Sequence, residues 1–170
     1  MIGIREERPQ DKKAIRGLNV SAFGRNFEAD LVDKLRHNCR ERLSLVAVMQ
    51  GEVVGYILFT RVAIESLDRK VHGMGLAPVS VLPEYQQQGI GSKLIRTGVR
   101  ILKERGCPFI IVLGHAKYYP RFGFEPASRY AIQSEWKVSD ESFMILVLRE
   151  SEMRGISGVA KYRPEFGETK

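Results

Sequence analysis

Apolar residues recur along this chain in two rhythms, period two for strands and three to four for helices. A short apolar stretch at Ile2 to Arg5 predicts a first strand. Pro9-Gln10-Asp11 predicts a helix start, because proline presets a helical φ and an acid complements the positive end of the dipole. In the helix that follows, Ala14, Ile15, Leu18, Ala22 and Phe23 fall on one face. Phe27 to Arg36 predicts a second short helix, with Asn26 as its N-cap and Phe27, Leu31 and Leu35 at spacing four. Leu45 to Met49, a break at Gln50-Gly51-Glu52, and Val53 to Val62 read as a hairpin. Leu76 to Val81 predicts another strand. Gly91 to Arg105 predicts a helix with Ile90, Leu94, Ile101 and Leu102 inward and Lys93, Arg96, Arg100 and Lys103 outward. Gly98 interrupts its apolar face, as close approach to a sheet would require, and Gly106 and Pro108 end it. Phe109 to Leu113 is apolar throughout, the pattern of a strand covered on both faces. Tyr118 to Phe122 predicts a short turn or helix, and Phe143 to Leu148 a last strand. Residues 149–170 show no clear element, although Val159, Tyr162 and Phe166 predict that this extension packs. The order βααβββαβαβ predicts a mixed α/β fold in one domain over residues 1–170.

Composition narrows the class. A chain of 170 residues, 44% hydrophobic and 28% charged, can bury a core and is not of disordered type. No apolar run approaches the roughly 18 residues of a membrane span, and Met1 to Glu7 lacks a signal-peptide core, so no membrane partner and a cytoplasmic location are expected. Cys39 and Cys107 form neither a disulfide framework nor a metal spacing, so no metal is expected. The net charge of +7 invites nucleic acid, but the basic residues are scattered and not interleaved with aromatics. Solvated helix faces account for most of them.

The stretch Val79-Ser80-Val81-Leu82-Pro83-Glu84-Tyr85-Gln86-Gln87-Gln88-Gly89-Ile90-Gly91-Ser92 carries the chemistry. A β-branched run ends at Pro83, and a polar turn delivers Gln86-x-x-Gly89-x-Gly91 into a helix. Amides with no helical acceptor, glycines that admit close approach and the positive helix end make a diphosphate cradle. An acyl-CoA or a dinucleotide would suit it, as would no ligand at all. A dinucleotide fingerprint needs Gly or Ala where Leu94 stands, and the P-loop pattern is absent.

With its flanks, the segment resembles the acetyl-CoA motif of the GNAT N-acetyltransferase superfamily, Arg/Gln-x-x-Gly-x-Gly/Ala preceded by an apolar-x-Pro element, here Val81-Leu82-Pro83. About thirty residues on, Tyr119-Pro120-Arg121-Phe122-Gly123-Phe124 matches the family's Tyr-x-x-x-Gly-Phe. Gln86 replaces the commoner Arg. Gly114 to Phe124 looks like one bacterial subgroup of uncharacterised members.

The resemblance implies a GNAT-like fold, a mostly antiparallel sheet with one splayed parallel pair, flanked by helices. It implies acetyl-CoA as co-substrate and direct transfer to a primary amine of a small molecule or peptide. Val79, Ser80 and Val81 would face pantetheine and the acetyl carbonyl, and Gln86, Gln87, Gln88, Gly89, Ile90, Gly91 and Ser92 would hold the diphosphate, with Lys93, Arg96 or Arg121 near the 3′-phosphate. Tyr119 occupies the position of the acid that reprotonates the thiolate. Glu28, Glu65, His72 and His115 are candidate bases, and Glu28, on the helix bordering the acceptor groove, is preferred, beside its plain reading as a first-turn acid. The loops Thr60 to Gly75 and Ala127 to Asp140, the latter with Trp136, would shape the acceptor site. Dimerisation is common in the family. A non-catalytic acetyl-CoA sensor on the same fold is the alternative.

Overall fold

The computed structural model describes residues 1–167. Strand β1 (Ile2–Glu6) leads through a 3-10 turn at Pro9–Asp11 into α1 (Lys12–Phe23) and α2 (Phe27–Asn38). Strands β2 (Arg42–Met49), β3 (Glu52–Glu65) and β4 (Lys70–Val81) precede α3 (Ile90–Glu104) and β5 (Phe109–Leu113). A 3-10 turn at Tyr119–Phe122 is followed by β6 (Glu125–Pro126), β7 (Ile132–Ser134), β8 (Phe143–Val147), a one-turn α4 (Glu150–Met153) and β9 (Gly158–Lys161). The strand order is β1-β2-β3-β4-β5-β8-β6, with β9 on β3 and β7 on β9. The sheet is mostly antiparallel, as expected, and β4 and β5 pair in parallel. The short β7 and β9 form a further parallel pair that sequence reading did not foresee.

By internal packing the chain falls into two units. The first holds, among the described residues, 1–60, 77–98 and 164–167. Here Met49 and Glu52 close the β2–β3 hairpin around Gln50 (φ 51°) and Gly51 (φ 79°), the left-handed pair that matches strand twist. Ile15 and Leu18 of α1 and Leu31, Val32 and Leu35 of α2 pack on Val46, Tyr56 and Leu58. Two members assigned to the α1 face are corrected: Ala14 and Phe23 are exposed, and Asn19 is buried instead. Asn26 stands at the N-cap of α2, but its side chain makes no capping bond. On α3, Ile90, Leu94 and Leu102 are buried as expected, Ile95 joins them, and Ile101 is half-buried. A Cβ on Gly98 would fall 2.3 Å from Cε1 of Phe59, so only glycine lets α3 sit this close to β3.

The second unit holds residues 61–76 and 99–163. Phe109 to Val112 are buried, while Leu113 reaches solvent. The parallel register joins Met74, Gly75 and Leu76 to Ile110, Ile111 and Val112. The span from Thr60 to Gly75 is not a loop: β3 runs to Glu65 and β4 starts at Lys70, leaving four residues between. The C-terminal extension packs by adding a strand. β9 pairs with β3 through Glu65 and Val159, where Gly158 (φ 132°) approaches so closely that a Cβ would lie 2.0 Å from the Glu65 carbonyl oxygen. Tyr162 is buried, with its ring 4.9 Å from that of Trp136 and against Gly75.

Candidate active site

Within the first unit, the last residues of β4 and the first of α3 form one continuous feature. Val79 and Val81 are half-buried, and Ser80 between them is buried. The Ser80 hydroxyl donates to Oδ1 of Asn19 at 2.6 Å, pinning the end of β4 to α1. Asn19 Nδ2 is buried without a hydrogen-bond partner, a group whose desolvation costs about 1–3 kcal/mol unless something accepts from it. Sequence reading missed Asn19. The available signal was its place four residues beyond Ile15, a polar residue within the buried stripe.

Past Val81, Leu82 N–H donates to the Val54 carbonyl at 2.9 Å, and a 3-10 turn spans Pro83–Tyr85. Gln86 to Gly89 are all exposed. Gln87 has φ 64° and Gly89 φ 84°. A left-handed glutamine costs on the order of 1 kcal/mol, and such turns aim successive amides into one concavity suited to an anion. The Gly89 carbonyl accepts from Lys93 N–H at 3.0 Å, so the helix proper begins at Ile90. The amides at the start of that turn, Ile90 and Gly91, therefore have no acceptor inside the helix. No acid occupies that turn, which leaves the positive helix end to an incoming anion. The Gln86 side chain turns back, donating through Nε2 to the Val81 carbonyl at 3.0 Å. It closes the turn.

Glu28, also in this unit, is buried in the first turn of α2. Arg25 donates to both its oxygens, at 3.0 and 2.5 Å. As it stands, the carboxylate is an ion-pair partner, and serving as a base would require Arg25 to release an oxygen. Lys93, one of the three basic residues expected near a 3′-phosphate, donates to the Ile2 carbonyl at 3.1 Å.

Tyr119 belongs to the second unit. It is 7% exposed, in the 3-10 turn after β5, with its ring edge-on to Tyr118 at 5.1 Å and Phe124 at 5.7 Å. Burial, and secondarily the neighbouring Tyr118 phenol, push its pKa up to about 12, so the hydroxyl keeps its proton at neutral pH. A Cβ on Gly114 would fall 2.4 Å from Cε2 of Tyr119, so this glycine is what leaves the ring its place. Arg121 donates to the Tyr118 carbonyl at 3.0 Å and lies over that ring at 4.7 Å, an engaged cation. The other candidate bases are exposed. Glu65 pairs with Lys70 at 3.6 Å, His115 follows β5, and His72 lies on β4, not in a loop, accepting from Arg61 at 3.1 Å.

The family model of the acetyltransferase (GNAT) family matches residues 12–124, from the first residue of α1 to the end of the Tyr119–Phe124 motif. The chain belongs to the GNAT family. Among its GNAT relatives, the uncharacterized N-acetyltransferase YjhQ of Escherichia coli K12 is 47% identical over 121 residues, 69% of this chain and 66% of that one, so the chain spans just under two thirds of that relative. The uncharacterized N-acetyltransferase YhbS of the same strain is 33% identical over 164 residues, 96% of this chain and 97% of its own length. The crystal structure of E. coli YhbS in complex with CoA superposes with a TM-score of 0.91 at 30% identity, covering 99% of this chain and 93% of that one. A GNAT acetyltransferase from Brucella melitensis in complex with acetyl-CoA gives 0.77 at 34% identity, with 98% of each chain covered. Among the described residues, no helix is long and apolar enough to cross a membrane and no group of His, Cys, Asp and Glu could hold a metal.

Proposed function

We propose that this GNAT protein transfers an acetyl group from acetyl-CoA directly to a primary amine of a small molecule or peptide, within a ternary complex. The observation that carries the reading is the exposed, left-handed turn at Gln87 and Gly89 opening into the unacidic first turn of α3. It has the donors a diphosphate needs, and a Cβ placed on Gly89 would meet nothing within 4 Å. Val79, Ser80 and Val81 present strand edge to pantetheine, and a preset amide there stabilises the oxyanion that grows on the acetyl carbonyl, by on the order of 2–4 kcal/mol. The unpartnered Asn19 amide behind Ser80 marks this end of β4 as a place where a further acceptor atom would be stabilised.

The amine attacks the thioester carbonyl, the C–S bond breaks, and the thiolate takes a proton. Tyr119, protonated well above neutral pH, supplies that proton, and Glu28 takes the one the amine sheds once Arg25 yields. A second reading is favoured by one observation: with Glu28 held by Arg25, the fold could bind acetyl-CoA without turning it over. One experiment separates the two. Calorimetric titration with acetyl-CoA should give one saturable site, and free CoA thiol should then appear when polyamines, aminoglycosides and peptide N-termini are screened. Binding without thiol release from any amine would favour the sensor, and absence of binding would end both readings. If Glu28 is the base, Glu28→Gln lowers turnover with the best amine and steepens its pH dependence; an unchanged rate leaves it as the ion-pair partner of Arg25.

A further inference from the structure

We propose that the first unit carries a second anion site, for a small molecule bearing two or more phosphate groups, in the cavity between the N-terminus of α1 and the C-terminus of α2. The cavity has a volume of about 510 Å³ and is lined by Glu7, Arg8, Lys12, Arg36, His37 and Arg42, together with Pro9 and Asp33. That volume exceeds a single phosphate and lies in the ordinary range of small-ligand sites.

The charge balance argues for an anion. Both acids on the wall are already engaged. Glu7 accepts from Arg36 at 2.6 and 3.1 Å and from the Ser44 hydroxyl at 2.7 Å, and Asp33 accepts from Arg16 and Arg36 at 2.8 and 2.9 Å. Arg8, Lys12 and Arg42, by contrast, make no ion pair among the described residues. Arg42 is steadied by donating to the Cys39 carbonyl at 2.7 Å, and His37 adds a ring donor. Four chain segments thus deliver four donor groups to one concavity: the exit of β1, the start of α1, the last turn of α2 and the start of β2.

Two further features fit. α1 opens with Lys12 and Lys13 behind its N-cap Asp11, whose carboxylate is already taken by the Arg5 guanidinium and the Arg8 amide, and no further acid lies in the first turn to balance the two lysines. Beneath the cavity, Arg36, Glu7, Ser44 and Tyr56 form a connected polar floor, the Ser44 and Tyr56 hydroxyls meeting at 2.9 Å, so the wall is held before any ligand arrives. Guanidinium forks at Arg8 and Arg42 match pairs of phosphate oxygens, and Lys12 acts as a point charge. The concave wall and the lack of interleaved aromatics favour a small polyanion over a nucleic acid strand.

This cavity is separate from the diphosphate loop. Lys93 of α3 reaches the carbonyl of Ile2, at one end of β1, while Arg8 follows the other end, roughly 14 Å away at strand rise. The test is calorimetric titration of inorganic tripolyphosphate into the full chain with excess CoA present, repeated in Gly89→Glu without CoA. One saturable equivalent that weakens with salt is expected in both. Arg8→Glu/Lys12→Glu should weaken it at least tenfold, and Arg42→Ala should too, with thermal melting kept as the check on folding. Lys13→Glu, one residue along but off the wall, should leave it intact. Tighter binding of ATP than of tripolyphosphate would place a nucleoside in the remaining volume, and equal binding would restrict recognition to the phosphates. No saturable tripolyphosphate binding, or equal affinity in parent and Arg8→Glu/Lys12→Glu, would overturn the proposal, whatever the outcome with acetyl-CoA.

Discussion

From Gln86 to Gly89 every residue stands in solvent and the donors proposed for the diphosphate are main-chain amides, whereas the donor proposed at Tyr119 is a single phenol sunk among aromatic rings. The first region depends on backbone angles and is indifferent to most side chains. The second depends on one side chain and on the space a neighbouring glycine leaves for it. A main-chain site should fail when φ or local charge is disturbed, a side-chain site when one atom is removed.

Gly89→Glu is the most damaging change foreseen. At φ 84° a side chain is strained by about 1 kcal/mol, and a carboxylate would stand where the proposed site puts the diphosphate charge. Acetyl-CoA affinity should fall a hundredfold or more by calorimetry. A Cβ there meets nothing within 4 Å, so the melting temperature should move by only a few degrees. Retained affinity would remove the loop as the phosphate site.

Tyr119→Phe should leave acetyl-CoA affinity within about twofold and cut turnover by about two orders of magnitude, the lower end of what a lost general acid costs. Equal kcat in both proteins would dismiss the phenol from the chemistry. The linkage has a definite sign. With its pKa raised to about 12 against 10 unfolded, the phenol's contribution to stability is whole below pH 10. It is lost as pH rises from 10 through 12, because the unfolded chain gives up the proton first. Tyr119→Phe should flatten that alkaline loss in denaturant titrations.

The two regions were not equally legible. The strand, turn and helix from Val79 to Ser92 could be read because their physics is written in residue type: a strand that stops at a proline, then glycines, then a 3.6 period. Tyr119 could be placed only by likeness to a motif, since nothing in its own letters says that Gly114 vacates the space for its ring. The same limit explains Asn19 and Ser80, whose bond joins residues 61 positions apart, and β9, whose four residues find β3 through the clearance at Gly158. The span after Thr60 read as loop, yet strand pairing carries β3 on to Glu65 and opens β4 at Lys70.

Gly114→Ala sharpens the contrast from the side-chain end. The new methyl would overlap the Tyr119 ring at 2.4 Å, so the ring must swing away at a packing cost of about 1–3 kcal/mol. Turnover should drop several-fold with acetyl-CoA affinity little changed. Combining it with Tyr119→Phe should add little further loss of kcat, since the displaced hydroxyl is already gone. Full additivity would mean that Gly114 acts by some route other than that ring.

Gln87→Gly tests the other end with the smallest effect of the set. The glutamine sits at φ 64°, where glycine is relaxed, so the native turn gains about 1 kcal/mol of relief. Glycine also gives the unfolded chain more freedom to lose, a term of similar size and opposite sign. Net stability should therefore change by less than about 1 kcal/mol. Acetyl-CoA affinity should stay within about twofold, because the amide at position 87 keeps its place and the exposed side chain contributes nothing to holding phosphate. A tenfold loss would mean that the Gln87 carboxamide itself touches the ligand. The cradle would then be a side-chain site after all, governed by the same rule as Tyr119.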